Sequence, residues 1–456
     1  MTAAWIALVV PWAFGIAIAI VDSRRRAVGW LTVGLLAVNF VALVVLAADV
    51  AADGTRSVTT GNWPVGVGIT LRVDALGALF AALSSLALLA ATAYEVVGGV
   101  RERGFCGFVL LLCAGLTGVF ITGDLFNFYV FFELAMTAAY VLATYGGGRR
   151  ELSAALVFTT ANLLGTFVFL LSVAGVYHVT GTLDMGQIGE RMGTVDASTG
   201  LLIAVGFFVA FSVKLGLFPF HFWLPTVYTG AGPAVAAILS GGLANIGAYG
   251  LLRFGAELLP RELEMAAIPL MIIGCASILY GGVLAISRRT GAEMLAYSAI
   301  GQVGYVLVAI GVGGPVGFGA AIVYAVLNAL NKTLLFLTLR MRGAIVATAF
   351  AIGALSVAGL PPAGGFVGKL ELFRATADDP VLIALIFLGG ALSFVYVFQV
   401  YQYEFWRSEG TGARSARAQQ AIIGVLALVT LAAGVWPEPL LALAADAAAS
   451  LEAVAP

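Results

Sequence analysis

FSVKLGLFPFHFWLP, residues 211–225, sets Lys214 inside an apolar run and follows it with Pro219 five residues later. Proline removes an amide donor and clashes with the turn before it, so a helix entering this segment is expected to break and free carbonyls. GALSVAGLPPAGGFVGK, residues 353–369, repeats the combination with Pro361 and Pro362, then Gly364 and Gly365, then Lys369. Irregular backbone at membrane depth is tolerated only where protein buries it or water reaches it. The third lysine, Lys332 in YAVLNALNKTLLFL (324–337), also lies inside an apolar run. Of the 23 basic residues in the chain, all but these three are arginines, at or beyond the ends of such runs.

The chain is 61% hydrophobic and 10% charged, with a mean hydropathy of +1.04, far from the composition of soluble domains. Runs of about 20 apolar residues, the length that crosses a bilayer, number fourteen, from 4–20 to 419–436. The expected class is therefore an all-α polytopic membrane protein. A last apolar piece, 437–453, contains Asp446 and is expected at the interface. The broken seventh (199–220) and twelfth (344–373) spans lie five apart, which implies two five-helix units, spans 4–8 and 9–13. An odd number of spans per unit inverts the second relative to the first, a recurrent transporter design. The expected segments are 1–104 with three helices, repeats at 105–255 and 256–405, and a C-terminal helix and interfacial piece at 406–456.

With the N-terminus outside, Arg24, Arg25, Arg26, Arg101, Arg103, Arg149, Arg150, Arg288, Arg289, Arg340, Arg342, Arg407, Arg414 and Arg417 fall inside. Arg56, Arg72, Arg191, Arg253, Arg261 and Arg374 fall in outside loops. This positive-inside bias places both termini outside the cell membrane, with the first run a retained helix and not a cleaved signal. A net charge of −1 provides no basic patch for nucleic acid. Cys106, Cys113 and Cys275 show no CxxC spacing, and with two histidines they imply no metal site. GVGGPVG (311–317) lacks the strand-then-helix setting of a dinucleotide loop, so no cofactor and no catalytic site are expected.

Charges inside a membrane are costly and mark functional sites by default. Arginine keeps its proton, whereas a desolvated lysine can release it. The segregation of lysine from arginine thus implies movement of protons, or of protons and cations, across the membrane. Glu133, mid-span in DLFNFYVFFELAMTAAYVL (124–142), is the carboxylate expected to pair with Lys214. Lys214 and Lys369 flank the breaks, where freed carbonyls and water are expected to support an ammonium. Glu371, two residues from Lys369, faces another side of a helix. Asn328 lies four residues before Lys332 on the same face, and His221 follows Pro219 as a proton exit or an interfacial residue beside Trp223. His178 reads as a surface residue and Asp124 as the cap of the fifth helix.

Taken together, DLFNFYVFFEL, VKLGLFPFHFWLP, GAYGLLRF, LAYSAIGQVGYVL, LNALNKTLLF and GLPPAGGFVGKLELF occur in order over residues 70–405. They resemble the antiporter-like family, which comprises large membrane subunits of respiratory complex I, membrane-bound hydrogenases and multisubunit Mrp cation/proton antiporters. The chain is most similar to the D-type subunits of the Mrp branch, with complex I subunits two, four and five as relatives. The resemblance implies fourteen helices in two inverted repeats, and a hydrated line of charges through Glu133, Lys214, Lys332 and Lys369. It implies partner membrane subunits, transport of protons and Na+, and no cofactor. Four departures stand out: Asn245 and Asn328 replace the family's usual lysine and histidine, and the links ISRRTGAEM (286–294) and RMRGAIVATAF (340–350) are altered. The alternatives to an ion-driven antiporter subunit are an arm of a redox-driven NADH-quinone oxidoreductase or hydrogenase, and a structural subunit with a degenerate proton path.

Overall fold

Residues 1–406, 413–414 and 416–452 are described by a computed structural model of the chain. Arg407 of the charge count and the C-terminus itself lie outside the described residues. Among the described residues nineteen α-helices follow one another: α1 (Thr2–Ala19), α2 (Arg26–Asp53), α3 (Ala75–Gly98), α4 (Phe105–Ile121), α5 (Leu125–Ala143) and α6 (Arg149–Thr180). Next come α7 (Met185–Met192), α8 (Ala197–Leu215), α9 (Leu224–Gly230), α10 (Pro233–Leu258), α11 (Pro260–Met265) and α12 (Ala267–Ile286). The rest are α13 (Gly291–Val312), α14 (Gly314–Thr338), α15 (Ala344–Ala358), α16 (Gly364–Ala375), α17 (Pro380–Tyr401), α18 (Arg417–Val435) and α19 (Glu438–Glu452). A hairpin of β1 (Arg56–Thr59) and β2 (Thr70–Val73), paired Arg56 to Val73, joins α2 to α3.

Twelve of these helices are long and apolar enough to cross a membrane. The two remaining apolar runs are α4, of 17 residues, and the twelfth run, which is split into α15 and α16. Together they account for the fourteen runs of the sequence, and the protein is a multi-pass all-α membrane protein.

Local chemistry sets the helix ends. Asp74, Asp124, Asp184, Asp196, Thr290 and Asp379 each accept a backbone N–H of the first turn they precede, supplying partners to orphan donors. Asp124 caps α5 by accepting from the Asn127 amide at 2.7 Å, as its place in the sequence implies. The two breaks are built alike: α8 ends on Gly216 (φ 65°) and α15 on Gly359 (φ 78°), both left-handed, where glycine carries no steric penalty. Leu217 then donates to the Ser212 carbonyl at 3.1 Å and Leu360 to the Leu355 carbonyl at 2.9 Å. Cis bonds precede Pro219 and Pro362.

The core sits where α10, α13 and α14 meet, with 94%, 89% and 100% of their most apolar 18 residues buried. Helices α12 and α13 pack backbone to backbone: a Cβ at Gly274 would lie 2.8 Å from the Gly304 carbonyl oxygen. Small residues permit such approach in membranes, where tight packing drives helix association. Helix α19 packs Ala444, Ala447, Ala448 and Leu451 inward, against α3 and α14, and leaves Asp446 exposed.

The structure corrects the placement of one arginine. Arg253 is not in an outside loop but in α10, 3% exposed. Its guanidinium lies 2.7 Å from Asp74 and 2.5 Å from Glu257, and Arg72 pairs with the same two carboxylates. Two positive and two negative groups close on one another, which is what allows an arginine inside the protein.

Candidate functional site

All three lysines are buried, with Lys214 6%, Lys332 7% and Lys369 5% exposed. They do not share one environment. Lys214 leaves the last turn of α8 and crosses to α6, where it donates to the Asn162 carbonyl at 2.9 Å and the Thr166 hydroxyl at 3.0 Å. Its amine lies 4.5 Å from the centre of the Phe132 ring, a favourable site for a cation. The freed carbonyls of its own break are not its partners, contrary to the sequence expectation. The Trp223 indole takes one of them, donating to the Val213 carbonyl at 2.8 Å.

Glu133, beside Phe132 on α5, is close enough for its charge to attract Lys214. The expected ion pair is nevertheless open, and Glu133 Oε1 is buried without a hydrogen-bond partner. The aromatic group beside the amine is Phe132, the neighbour of Glu133 on α5.

Between Lys214 and Lys332 runs α10, whose turns widen to i→i+5 over Ile238–Leu243. Such bulges frequently lie at functional sites. Two small cavities flank this stretch, each of about 10 Å³, close to the least space that holds one water. The first is lined by Lys214, Asn162 and Ala244. The second is lined by Ala244 again, with Ser240, Asn245, Asn328 and Lys332. The Asn162 Oδ1 and Ser240 Oγ atoms are buried without protein partners, which provides the polar contacts a water requires.

Asn245 donates to Ser84 Oγ at 3.0 Å and to the Gly241 carbonyl at 2.8 Å. Asn328 and Lys332 share the second cavity, as their four-residue spacing on α14 implies. Four residues earlier on that helix, Tyr324 packs on Tyr305 with ring centres 5.0 Å apart. Tyr305 in turn lies under Lys369, 5.3 Å from its amine. Lys369 does use a break: it donates to the Ala358 carbonyl at 2.8 Å and to the Val357 carbonyl at 3.3 Å, so α16 is tied to the end of α15. Glu371 pairs with Arg374 and leaves Lys369 alone.

His221 sits off this line. Its Nε2 is 2.8 Å from the Tyr280 hydroxyl and its Nδ1 has no partner, while His178 is exposed. The polar groups absent from the sequence reading are Asn162, Thr166 and Ser240, together with a hydrogen-bonded cluster beyond Tyr324. There the Tyr324 hydroxyl donates to Gln302 Oε1 at 2.5 Å, and Gln302 Nε2 donates to the Tyr396 hydroxyl at 3.0 Å. Asn162 and Thr166, four apart in a run whose other polar residues are Ser153, Thr159, Thr160, Ser172 and Tyr177, were the available signal for the first pair.

Residues 122–394 match the NADH:quinone oxidoreductase/Mrp antiporter transmembrane family. The chain belongs to this family. The D-type subunit of the Na(+)/H(+) antiporter of Alkalihalophilus pseudofirmus is 32% identical over 410 residues, covering 84% of this chain and 82% of that protein. The D-type subunit of a probable K(+)/H(+) antiporter of Rhizobium meliloti is 30% identical over 79% of each chain. Among solved structures, a chain of the Mrp complex from a Dietzia species superposes with a TM-score of 0.92 at 25% identity over 100% of both chains. A chain of Thermus thermophilus respiratory complex I does so with 0.86 at 26% identity over 99% of each.

Proposed function

We propose that the chain is the proton-translocating subunit of a multisubunit monovalent cation/proton antiporter in the cell membrane, with Na+ as the exchanged cation and other membrane subunits as partners. The observation that carries this reading is the line of three amines inside the protein, joined by water-sized cavities and hydroxyl groups. A desolvated amine can both carry a proton and release it. Glu133 biases Lys214 through its charge, and Asn162 and Thr166 hold the ammonium in place. Water in the two cavities, with Ser240 and Asn245, links Lys214 to Lys332. Asn328, Tyr324 and Tyr305 lead on to Lys369. The two repeats, 105–255 and 256–405, each contribute a broken helix, and both termini face outward.

Ion flux in vesicles containing the whole complex tests the proposal. Lys214→Ala and Glu133→Ala are each expected to abolish exchange with the assembly intact, and normal exchange in either would remove the reading. A redox-driven assembly is the second reading, supported by the likeness to complex I. Iron–sulfur or flavin subunits in the purified complex would establish it in place of the first.

A further inference from the structure

Away from the line of lysines lies an apolar cleft of 510 Å³, within the ~300–1,000 Å³ usual for small-molecule sites. It is bounded by α8, the end of α10, α11 and the start of α12, and it runs from Glu262 to Pro219 and Phe220 at the α8 break. Val205, Pro219 and Met265 line it and are exposed, so it opens sideways along membrane-spanning helices. Water does not fill such a space, because each molecule needs two to four polar partners. A partner helix does not fit it either: a cylinder ~10 Å across takes up this volume in about one turn.

One side chain interrupts the apolar wall. Glu262 is 3% exposed, lines the cleft, and has no side-chain hydrogen bond or ion pair among the described residues. A carboxylate without a protein partner in an apolar wall favours a cation beside it. The preceding residue, Arg261, is exposed, lies outside the cleft lining, and gives one guanidinium nitrogen to the Val195 carbonyl at 3.4 Å. Its remaining donors suit a phosphate. Glu264 is exposed and does not line the cleft.

We propose that this cleft binds one phospholipid with a primary-amine headgroup, its ammonium on Glu262, its phosphate on Arg261, and one acyl chain lying along the cleft to Pro219 and Phe220. The bilayer around the protein supplies this ligand, and adjacent carboxylate and guanidinium groups distinguish it from an anionic lipid. The chain end then lies against the broken segment of α8 and keeps that side of the break dry. This site is independent of the ion that the protein carries.

The test uses the full chain in its native membrane assembly, delipidated in mild detergent and exposed to vesicles of equal parts phosphatidylethanolamine and phosphatidylglycerol. Native mass spectrometry reads the lipid retained. Wild type is expected to hold one more phosphatidylethanolamine per chain than Val205→Trp, which blocks the mouth at an exposed position. Glu262→Gln is expected to keep a lipid but lose about tenfold of the preference for the amine headgroup, the size of one charge-assisted hydrogen bond. Equal lipid counts in wild type and Val205→Trp, or no headgroup preference in wild type, would overturn the site. So would crosslinking of a Val205→Cys variant to a neighbouring protein subunit, because protein would then cover the cleft.

Discussion

Replacing Arg253 by leucine removes one of two positive charges from a pocket whose carboxylates, Asp74 and Glu257, have no exposed side-chain surface. Arg253 gives Nη2 to Asp74 at 2.7 Å, Nη1 to Glu257 at 2.5 Å and Nε to the Tyr249 hydroxyl at 3.1 Å. Arg72 remains, but its Nη2 stands 3.3 Å from Asp74 Oδ2, an atom without a hydrogen bond. The variant therefore keeps two buried carboxylates against a single guanidinium. Breaking a buried pair from one side costs about 3–5 kcal/mol, and with two partners lost Arg253→Leu belongs at the upper end. Adding Asp74→Leu restores charge balance, and the double variant is expected to recover more than half of that loss. The assay is thermal unfolding of the purified chain in detergent, read by size-exclusion fluorescence, for the wild type, both single variants and the double. The reasoning fails if Arg253→Leu melts with the wild type, or if the two losses simply add, since additivity means no coupling.

Thr166→Val removes one acceptor of the Lys214 ammonium, worth about 1.5–3 kcal/mol for a charged donor, and is expected to slow exchange by about tenfold or more in the vesicle assay. Asn245→Lys places a second titratable amine at the Lys332 cavity and is expected to raise proton-coupled exchange; unchanged exchange would favour a structural role for that half of the path. A Cβ at Gly390 would lie 3.1 Å from the Lys369 amine, whereas among the described residues nothing beyond its own helix turn lies within 4 Å of one at Gly424. Gly390→Ala is thus expected to impair exchange and Gly424→Ala to leave it intact, with assembly unchanged in both on native gels. The Ser198 hydroxyl, followed by backbone amides of the first turn, holds Asp196 below the usual carboxylate range. Its support of the start of α8 is complete above the ordinary carboxylate value and is lost as pH falls through the lowered one. Acid melting curves of Asp196→Asn should accordingly lack the part of the wild-type decline in that window.

Much of the architecture could be read from the chain because a bilayer imposes a length on every span and proline imposes a break. Both breaks and the burial of all three amines follow from those constraints alone. The partners of the amines do not. Lys214 sits only two residues before Gly216, yet its acceptors are on α6, 48 and 52 residues away, a choice made by helix packing. Arg253 resembled a loop residue because a span with an arginine near its end normally stops there. One neutralising partner, Glu257, is four residues on, but the other, Asp74, lies 179 residues earlier, beyond any local pattern. The i→i+5 turn at Ser240 likewise has no signature in SGGLANIGAYG (240–250), although it shapes the cavities beside Asn245.

The two broken helices differ in one respect that matters mechanically. The first is bridged by a neutral group, the Trp223 indole on the Val213 carbonyl, with its amine anchored on a third helix. Across the second, the Lys369 side chain is a staple from one rod to the end of the other. A charged staple grips carbonyl oxygens harder than a neutral one, so the angle of that joint and the proton on its nitrogen are two readings of a single equilibrium. By reciprocity, a neighbouring subunit that bends the joint alters proton occupancy, and a proton arriving there pushes back on the neighbour with equal free energy.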